Sequence, residues 1–480
     1  MSMKLFLVKH WKWILLIFLL YEICGALLPF VFYPQIGETF ASSFQPSSFY
    51  GEESPDRARI VETSQDALDT RIEMISQAQE RIVLSTFDIR EGSSFRDIFS
   101  CLLEAADRGV DVKILVDGLY GLVHMHGNPA LYAIGSHPNV EIRFYNIPSL
   151  IRPWTFNGRM HDKYLLIDNQ LLLLGGRNTF DYFLGNYNKK NLSYDRDVLI
   201  YNTDYSASSP LKSSVLGQIE DYFQTVWDSK DCRTVFENPP FWLKDKEAEE
   251  EAALMAHYET LTITKPQLTA SGKDYTKETV PTGKVTLISN PIHIWAKEPW
   301  VWYQLQYMMA HASDRVLIQT PYAVFNQTMY DGMTEAASQV PTTMLVNFTA
   351  VGDNFMASSD YTRNRNKILD TGIEVMEFFG DHSSHGKSIV IDHRLSVIGS
   401  YNLGLRSTYV DTELMLVIDS PQLNRQLTDY ILDMAESSLR VLPDGTYEEN
   451  PRIQPIALTK QKEILFAVTS RLFQLIRYLI

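Results

Sequence analysis

The sequence predicts an α/β protein of two α/β/α repeats, each with a mixed sheet, related by a pseudo-twofold axis and preceded by an N-terminal transmembrane helix. Three observations predict it. His161, Lys163, Asp168, Gly175 and Asn178 recur downstream as His385, Lys387, Asp392, Gly399 and Asn402 with the same internal spacing. Strand-like and helix-like stretches alternate ahead of both copies. An apolar run near the N-terminus is long enough to cross a hydrocarbon layer, which needs about 20 helical residues.

That run covers residues 13–33 and is apolar except for Glu22. Lys4, Lys9 and Lys12 precede it, whereas Glu38, Glu52 and Glu53 follow it, so the positive-inside rule places the N-terminus in the cytoplasm and the body outside. A removable signal peptide is the rival reading, with Cys24-Gly25-Ala26 as its cleavage site. Apolar residues continue past that point through Phe32, which favours a single-pass anchor over residues 1–34 in the cell membrane. Residues 35–58, rich in Ser, Pro, Gly and Phe, read as a tether.

The first repeat spans residues 59–243. Ala67, Leu68, Ile72 and Ile75 recur at helical spacing within residues 63–79, and residues 82–87 form a compact strand-like run. A helix over 95–108 and strands over 110–116 and 140–145 follow. The apolar runs 164–167 and 171–174, separated by Asp168-Asn169-Gln170, read as a hairpin of two buried strands. Residues 244–284 form a linker, with an acidic helix facing solvent and a Thr/Lys/Pro/Gly stretch.

The second repeat, 285–445, follows the same order. A helix over 302–312, a strand over 316–320, a helix over 327–338 and strands over 343–348 and 373–378 lead to a hairpin, 389–391 and 395–398, around Asp392-His393-Arg394. The tail, 446–480, carries an amphipathic helix with Leu465, Val468, Leu472, Leu475, Ile476 and Leu479 on one face. It either lies on a membrane surface or packs on the body.

The chain of 480 residues has 43 basic and 58 acidic side chains, a formal charge of −15. This sign disfavours nucleic acid as the main partner. Cys24, Cys101 and Cys232 form no CxxC pair, so the sequence supports neither a zinc nor a redox site, and we expect no metal and no cofactor.

On a strand, residues two apart point to one face, so each motif presents an imidazole and an ammonium together. Imidazole serves as nucleophile or general acid, lysine supplies positive charge, and asparagine donates from its amide. Two such sets converging on one point suit a phosphodiester: one histidine attacks phosphorus, the other protonates the leaving oxygen, and the lysines and asparagines stabilise the non-bridging oxygens. Asp168 and Asp392 fall at hairpin turns, where they fix backbone geometry.

The paired motifs resemble the HxKxxxxD signature of the phospholipase D superfamily, over residues 63–419, and with the apolar N-terminus the layout looks most like bacterial cardiolipin synthases and related phospholipase D-like proteins. The resemblance implies a two-step reaction through a phosphohistidine, with His161 as nucleophile, His385 as acid/base, and Lys163, Lys387, Asn178 and Asn402 binding phosphate. It also implies an acidic residue after each motif that orients a histidine. Glu413 matches in the second repeat; in the first, Asp195 and Asp197 are candidates and Asp197 is preferred, because it opens the strand-like run Val198-Leu199-Ile200 as Glu413 opens Leu414-Met415-Leu416-Val417. Ser400 offers a hydroxyl to phosphate where the first copy has Gly176, and Arg177 beside it is either the compensating contact or a surface residue. The implied function is membrane-anchored phosphatidyl transfer making cardiolipin from phosphatidylglycerol. Hydrolysis of a phospholipid is the nearest alternative, and nuclease or phosphodiesterase activity is third.

Overall fold

The computed structural model describes residues 3–205 and 213–480, with side chains from residue 10 onward, so Lys4 and Lys9 of the basic flank lie outside the described side chains. Each repeat is built on a sheet. Across the first the order is Asp56–Val61, Asp197–Asn202, Leu171–Gly175, Tyr164–Ile167, Arg81–Thr86, Asp111–Asp117, Val140–Tyr145 and Cys232–Val235. Across the second it is Lys284–Ser289, Leu414–Asp419, Leu395–Gly399, Ser388–Ile391, Val316–Gln319, Thr342–Asn347, Glu374–Phe378 and Ser438–Arg440. The pairing senses also match. Arg81–Thr86, Asp111–Asp117 and Val140–Tyr145 run parallel, as do Val316–Gln319, Thr342–Asn347 and Glu374–Phe378, while the flanking pairs are antiparallel.

Both faces of each sheet are covered, which explains the unbroken apolar runs in the motif hairpins. In Tyr164–Ile167, Leu165 and Ile167 point outward into a core shared with the helices Ser64–Gln77, Ser93–Asp107 and Lys244–Thr264. Tyr164 and Leu166 point inward, where they meet Val390, Ile398, Leu414 and Leu416 of the other sheet and the helices Val215–Trp227 and Pro421–Ala435. The two sheets therefore pack through one common core. Burying each such leucine or isoleucine contributes about 2 kcal/mol, so this shared core holds the two repeats together. Trp300–Ala310, Gln327–Gln339 and Phe355–Leu369 cover the outer face of the second sheet.

Three boundaries differ from the sequence reading. The body begins at Asp56, three residues early, because Asp56–Val61 pairs with Asp197–Asn202. Residues 35–58 do not hang as a loose tether: Phe40 stacks on Trp300 at 4.5 Å, Phe44 packs edge-on to Tyr303 and Tyr307, and Phe49 is buried. Aromatic residues interspersed with Ser and Pro were the overlooked signal for packing. The linker likewise belongs to the first repeat. Leu254 and Leu261 of Lys244–Thr264 enter its core, Arg96 pairs with Glu250, and Val280–Pro281 adds a ninth strand at the sheet edge.

At the N-terminus, the stretch His10–Phe30, formed by the helix Met3–Leu27 and the tighter turn Leu28–Phe30 that follows it, is long and apolar enough to cross a membrane and is almost unburied by the body. The tail forms the helix Lys460–Leu472, followed by a tighter turn over Phe473–Leu479, both packed against Phe355–Leu369.

Candidate active site

Two short backbone contacts between the repeats assemble the site. Met160 bridges in parallel to Thr412, and Ser383–Ser384 pairs in parallel with Ser193–Tyr194. The next residue along each partner strand is then a histidine on one side and an acid on the other. His161 Nδ1 lies 3.0 Å from Glu413 Oε1, and His385 Nδ1 lies 2.6 Å from Asp195 Oδ2. Each repeat thus supplies the acid that orients the other repeat's histidine. With Nδ1 engaged in both rings, Nε2 is the nitrogen left for chemistry.

This register corrects the choice of Asp197. Gly175 is paired with Asp197 and Gly399 with Met415, so the position matching Glu413 is two residues before Asp197. Equivalently, Gly176 donates its N–H to the carbonyl of Arg196 and Ser400 to that of Leu414. Asp197 is itself buried and accepts from Arg71 at 3.0 Å, with Arg177 also close, so it neutralises two buried guanidinium groups. Taking the first apolar residue of each strand as the landmark misses that the first strand carries a charged residue at a buried position.

Arg177 and Ser400 do not reach the cavity either. Arg177 is buried, and its guanidinium donates to the carbonyls of Val61, Glu62 and Asp195. Ser400 donates to Glu413 Oε2 and accepts from the N–H of Leu414. A side chain at Gly176, the matching position, would place its Cβ 2.3 Å from Asp195 Oδ1. The Gly176/Ser400 difference therefore follows the acids: a hydroxyl supports Glu413, and empty space admits Asp195.

Asp168 and Asp392 lie at the hairpin turns with positive φ, 50° and 54°. Asp168 accepts from the N–H groups of Gln79, Glu80 and Arg81, and Asp392 from those of Ser313, Asp314 and Arg315. Each ties its hairpin to the start of the neighbouring strand, away from the histidines.

Both histidines, Asn178 and Asn402 line one cavity of about 640 Å³. The Asn178 side-chain oxygen accepts from the Asp88 N–H at 3.3 Å. The ring of Phe87 packs 4.8 Å from His161, and Phe183 packs 5.1 Å from His385. Lys163 and Lys387 are both buried; the Lys387 ammonium lies alongside the His385 ring, nearer to Nδ1 (2.6 Å) than to Nε2 (3.1 Å). Tyr120, Tyr322, Asp353 and Arg406 also line the cavity, as does Asp88, which binds Arg90 and His124. None of these follows from motif spacing, since they come from loops and helix starts brought in by the fold.

Burial dominates the electrostatics, and the two half-sites are unequal. Burial, with Lys163 and Lys387 nearby, pushes the His161 imidazole well below its ordinary range, so it is uncharged at neutral pH. Burial and Lys387 also lower His385, but Asp195 opposes them. Burial acts against the charge on Asp195 too, yet Lys387 and His385 outweigh it and hold the carboxyl down at about 2. Glu413, in contrast, is pushed up by burial. Burial brings the Lys163 ammonium down to about 7. The result is a cavity lined by two oriented imidazoles, with two desolvated amines buried off its surface, an arrangement whose positive charge favours an anion.

The family model described as "Cardiolipin synthase, PLD-like domain" matches residues 71–227 and 305–435, covering both motifs. The chain belongs to this family. It is an enzyme of the phospholipase D type. It is 26% identical over 412 residues to cardiolipin synthase C of Escherichia coli (strain K12), covering 77% of this chain and 82% of that one. It is 25% identical over 430 residues to a protein of Helicobacter pylori (strain ATCC 700392 / 26695) described as uncharacterized, covering 82% of each. Phosphatidylserine synthase of Haemophilus influenzae Rd KW20 shares the fold, with a TM-score of 0.62 over 90% of this chain and 97% of that one at 17% identity.

Proposed function

We propose that this chain is a membrane-anchored phosphatidyltransferase that makes cardiolipin from two molecules of phosphatidylglycerol. The observation that carries the reading is the pair of cross-oriented histidines on one cavity, in a family whose relatives include cardiolipin synthases. His161 Nε2 attacks the phosphorus of the first lipid, the bond from phosphorus to the glycerol oxygen breaks, and His385 gives that oxygen its proton. Glycerol leaves and the phosphatidyl group stays on His161. A terminal hydroxyl of the second phosphatidylglycerol then loses its proton to His385 and attacks phosphorus, which frees His161 and forms cardiolipin. Lys163, Lys387, Asn178 and Asn402 hold the non-bridging oxygens.

The unequal half-sites support this division of labour. Burial and Lys387 lower His385, but the ionised Asp195 on its Nδ1 offsets part of that shift, so His385 takes up a proton more readily than it would without the carboxylate, which suits the acid/base role. His161, kept neutral by its surroundings, suits a nucleophile. The apolar stretch His10–Phe30 supports residence in the cell membrane, and the lysines Lys4, Lys9 and Lys12 ahead of it support a body on the extracytoplasmic side.

The test is to give the purified full chain phosphatidylglycerol in vesicles, beside a His161→Ala variant, with a chelator present. Cardiolipin plus glycerol from the unaltered chain alone is expected. Phosphatidic acid without cardiolipin makes the enzyme a hydrolase, and cleavage of nucleic acid without lipid turnover overturns both readings. A strict metal requirement overturns the two-histidine mechanism.

A further inference from the structure

Two apolar elements of the body remain uncovered, and both touch the N-terminal helix or the residues leaving it. The first is the tip Leu150-Ile151, with exposures of 59% and 81%. Tyr21 of the helix donates its hydroxyl to the Ile151 carbonyl at 2.6 Å, Pro153 packs on Gly25, and Asn157 donates to the Ala26 carbonyl. Tyr21 lies about 9 Å before the end of the helix at Leu27, given 1.5 Å of rise per residue. The tip therefore reaches back along the helix, beside side chains that are themselves exposed and apolar.

The second element is the tail helix Lys460–Leu472. It holds the body through Phe466 and Ser470, which are buried, and turns Ile464, Leu465, Val468 and Leu472 outward, with Leu475 continuing the stripe. An exposed stripe of this kind on a helix already fixed by its other face needs a partner. Its end meets the chain leaving the N-terminal helix, where Tyr33 donates to the Tyr478 carbonyl at 2.6 Å. Nearby Leu28 and Phe32 are also exposed. The same helix reaches the cavity wall, because Phe466 packs 5.0 Å from Phe355, and Phe355 and Ile480 line the cavity.

We propose that the lipid bilayer covers both elements, so that the tip Leu150-Ile151 and the outward stripe of Lys460–Leu472 enter its surface on either side of the anchor and seat the cavity mouth at headgroup level. Continuity with the anchor selects this occupant over a second protein: any membrane that Met3–Leu27 crosses surrounds Ile151 as well. The proposal rests on reading that helix as an anchor. It supplies a reason for two separate insertions, since one helix alone leaves the body free to tilt and swing, whereas three points of entry fix its orientation over the lipid.

The test uses the full chain in a Cys24→Ser/Cys232→Ser background, reconstituted in vesicles of phosphatidylcholine and phosphatidylglycerol. A polarity-sensitive fluorophore is attached at Phe18→Cys, Ile151→Cys, Leu472→Cys or Ile263→Cys, the last an exposed position on the helix Lys244–Thr264, which packs on Ser93–Asp107 of the first repeat. Brominated acyl chains are expected to quench positions 18, 151 and 472 and to leave 263 bright. If 18 is quenched but 151 and 472 are not, the proposal is overturned and the anchor stands. An unquenched position 18 overturns the anchor reading and the proposal with it. As a second readout, Leu465→Asp/Leu472→Asp, on exposed positions that folding does not need, is expected to lower turnover of phosphatidylglycerol in vesicles while sparing turnover in detergent micelles. Equal loss in both, or in neither, counts against the seating.

Discussion

Asp195→Asn and Asp197→Asn, two residues apart, separate the orienting acid from a buried structural one. Asp195 sits at about 2 against an ordinary 3.8, which makes its ionised form worth about 2 kcal/mol to the fold. The carboxyl is depressed on folding, so this contribution is complete above about pH 4 and drains away as the pH falls towards 2. The amide loses it at neutral pH and leaves Lys387 buried without its carboxylate, a total cost of about 3 kcal/mol. It also removes the charge that favours the His385 imidazolium, and turnover is expected to fall about 10²- to 10⁴-fold. Asp197→Asn breaks the contacts to Arg71 and Arg177 and is expected to cost a comparable 3 to 5 kcal/mol, roughly the penalty for opening a buried pair. Its kcat, measured on protein that remains folded, should stay within about tenfold of the original. Cardiolipin formation and thermal unfolding, followed on both variants in one detergent, make the comparison. A folded Asp197→Asn protein without activity, beside an active Asp195→Asn protein, refutes the cross-oriented site.

Gly176→Ala should abolish turnover, because its Cβ meets the Asp195 carboxylate, whereas Ser400→Ala, which removes one donor to Glu413, should cost about 1 to 2 kcal/mol in thermal unfolding. Binding of glycerophosphoglycerol should weaken above pH 7, by up to about tenfold per pH unit, as the Lys163 ammonium loses its proton; calorimetry showing constant affinity from neutral to alkaline pH contradicts this. In trapping with labelled phosphatidylglycerol, His385→Gln should retain an acid-labile, base-stable phosphate on His161, and His161→Ala should retain none; label on the His161→Ala protein reverses the two roles.

Much of the fold was legible because burial on both sheet faces writes itself into the sequence as unbroken apolar runs. The hairpins around Asp168 and Asp392, and the strands before them, follow from that rule. The order of strands across each sheet does not, since Asp56–Val61 finds Asp197–Asn202 only after the chain between has folded. The repeated histidines, lysines and asparagines were legible from spacing. Asp195 was not separable from Asp197, because the first repeat carries extra residues before it and the register is fixed by backbone pairing with Ser383–Ser384, far away in sequence. Arg177 and Ser400 look like phosphate ligands by composition, yet their partners are backbone groups and an acid that only the folded chain brings near.

The crossed pairing of histidines and acids also sets a clock on the enzyme during its own synthesis. His161 is translated long before Glu413, and until the second repeat has folded against the first, its imidazole has no carboxylate to hold it and no second imidazole to work with. Contacts between residues so distant in sequence form late and slowly. On the proposed two-histidine mechanism, a nascent or truncated chain is consequently inert until the last strands of the second sheet are in place.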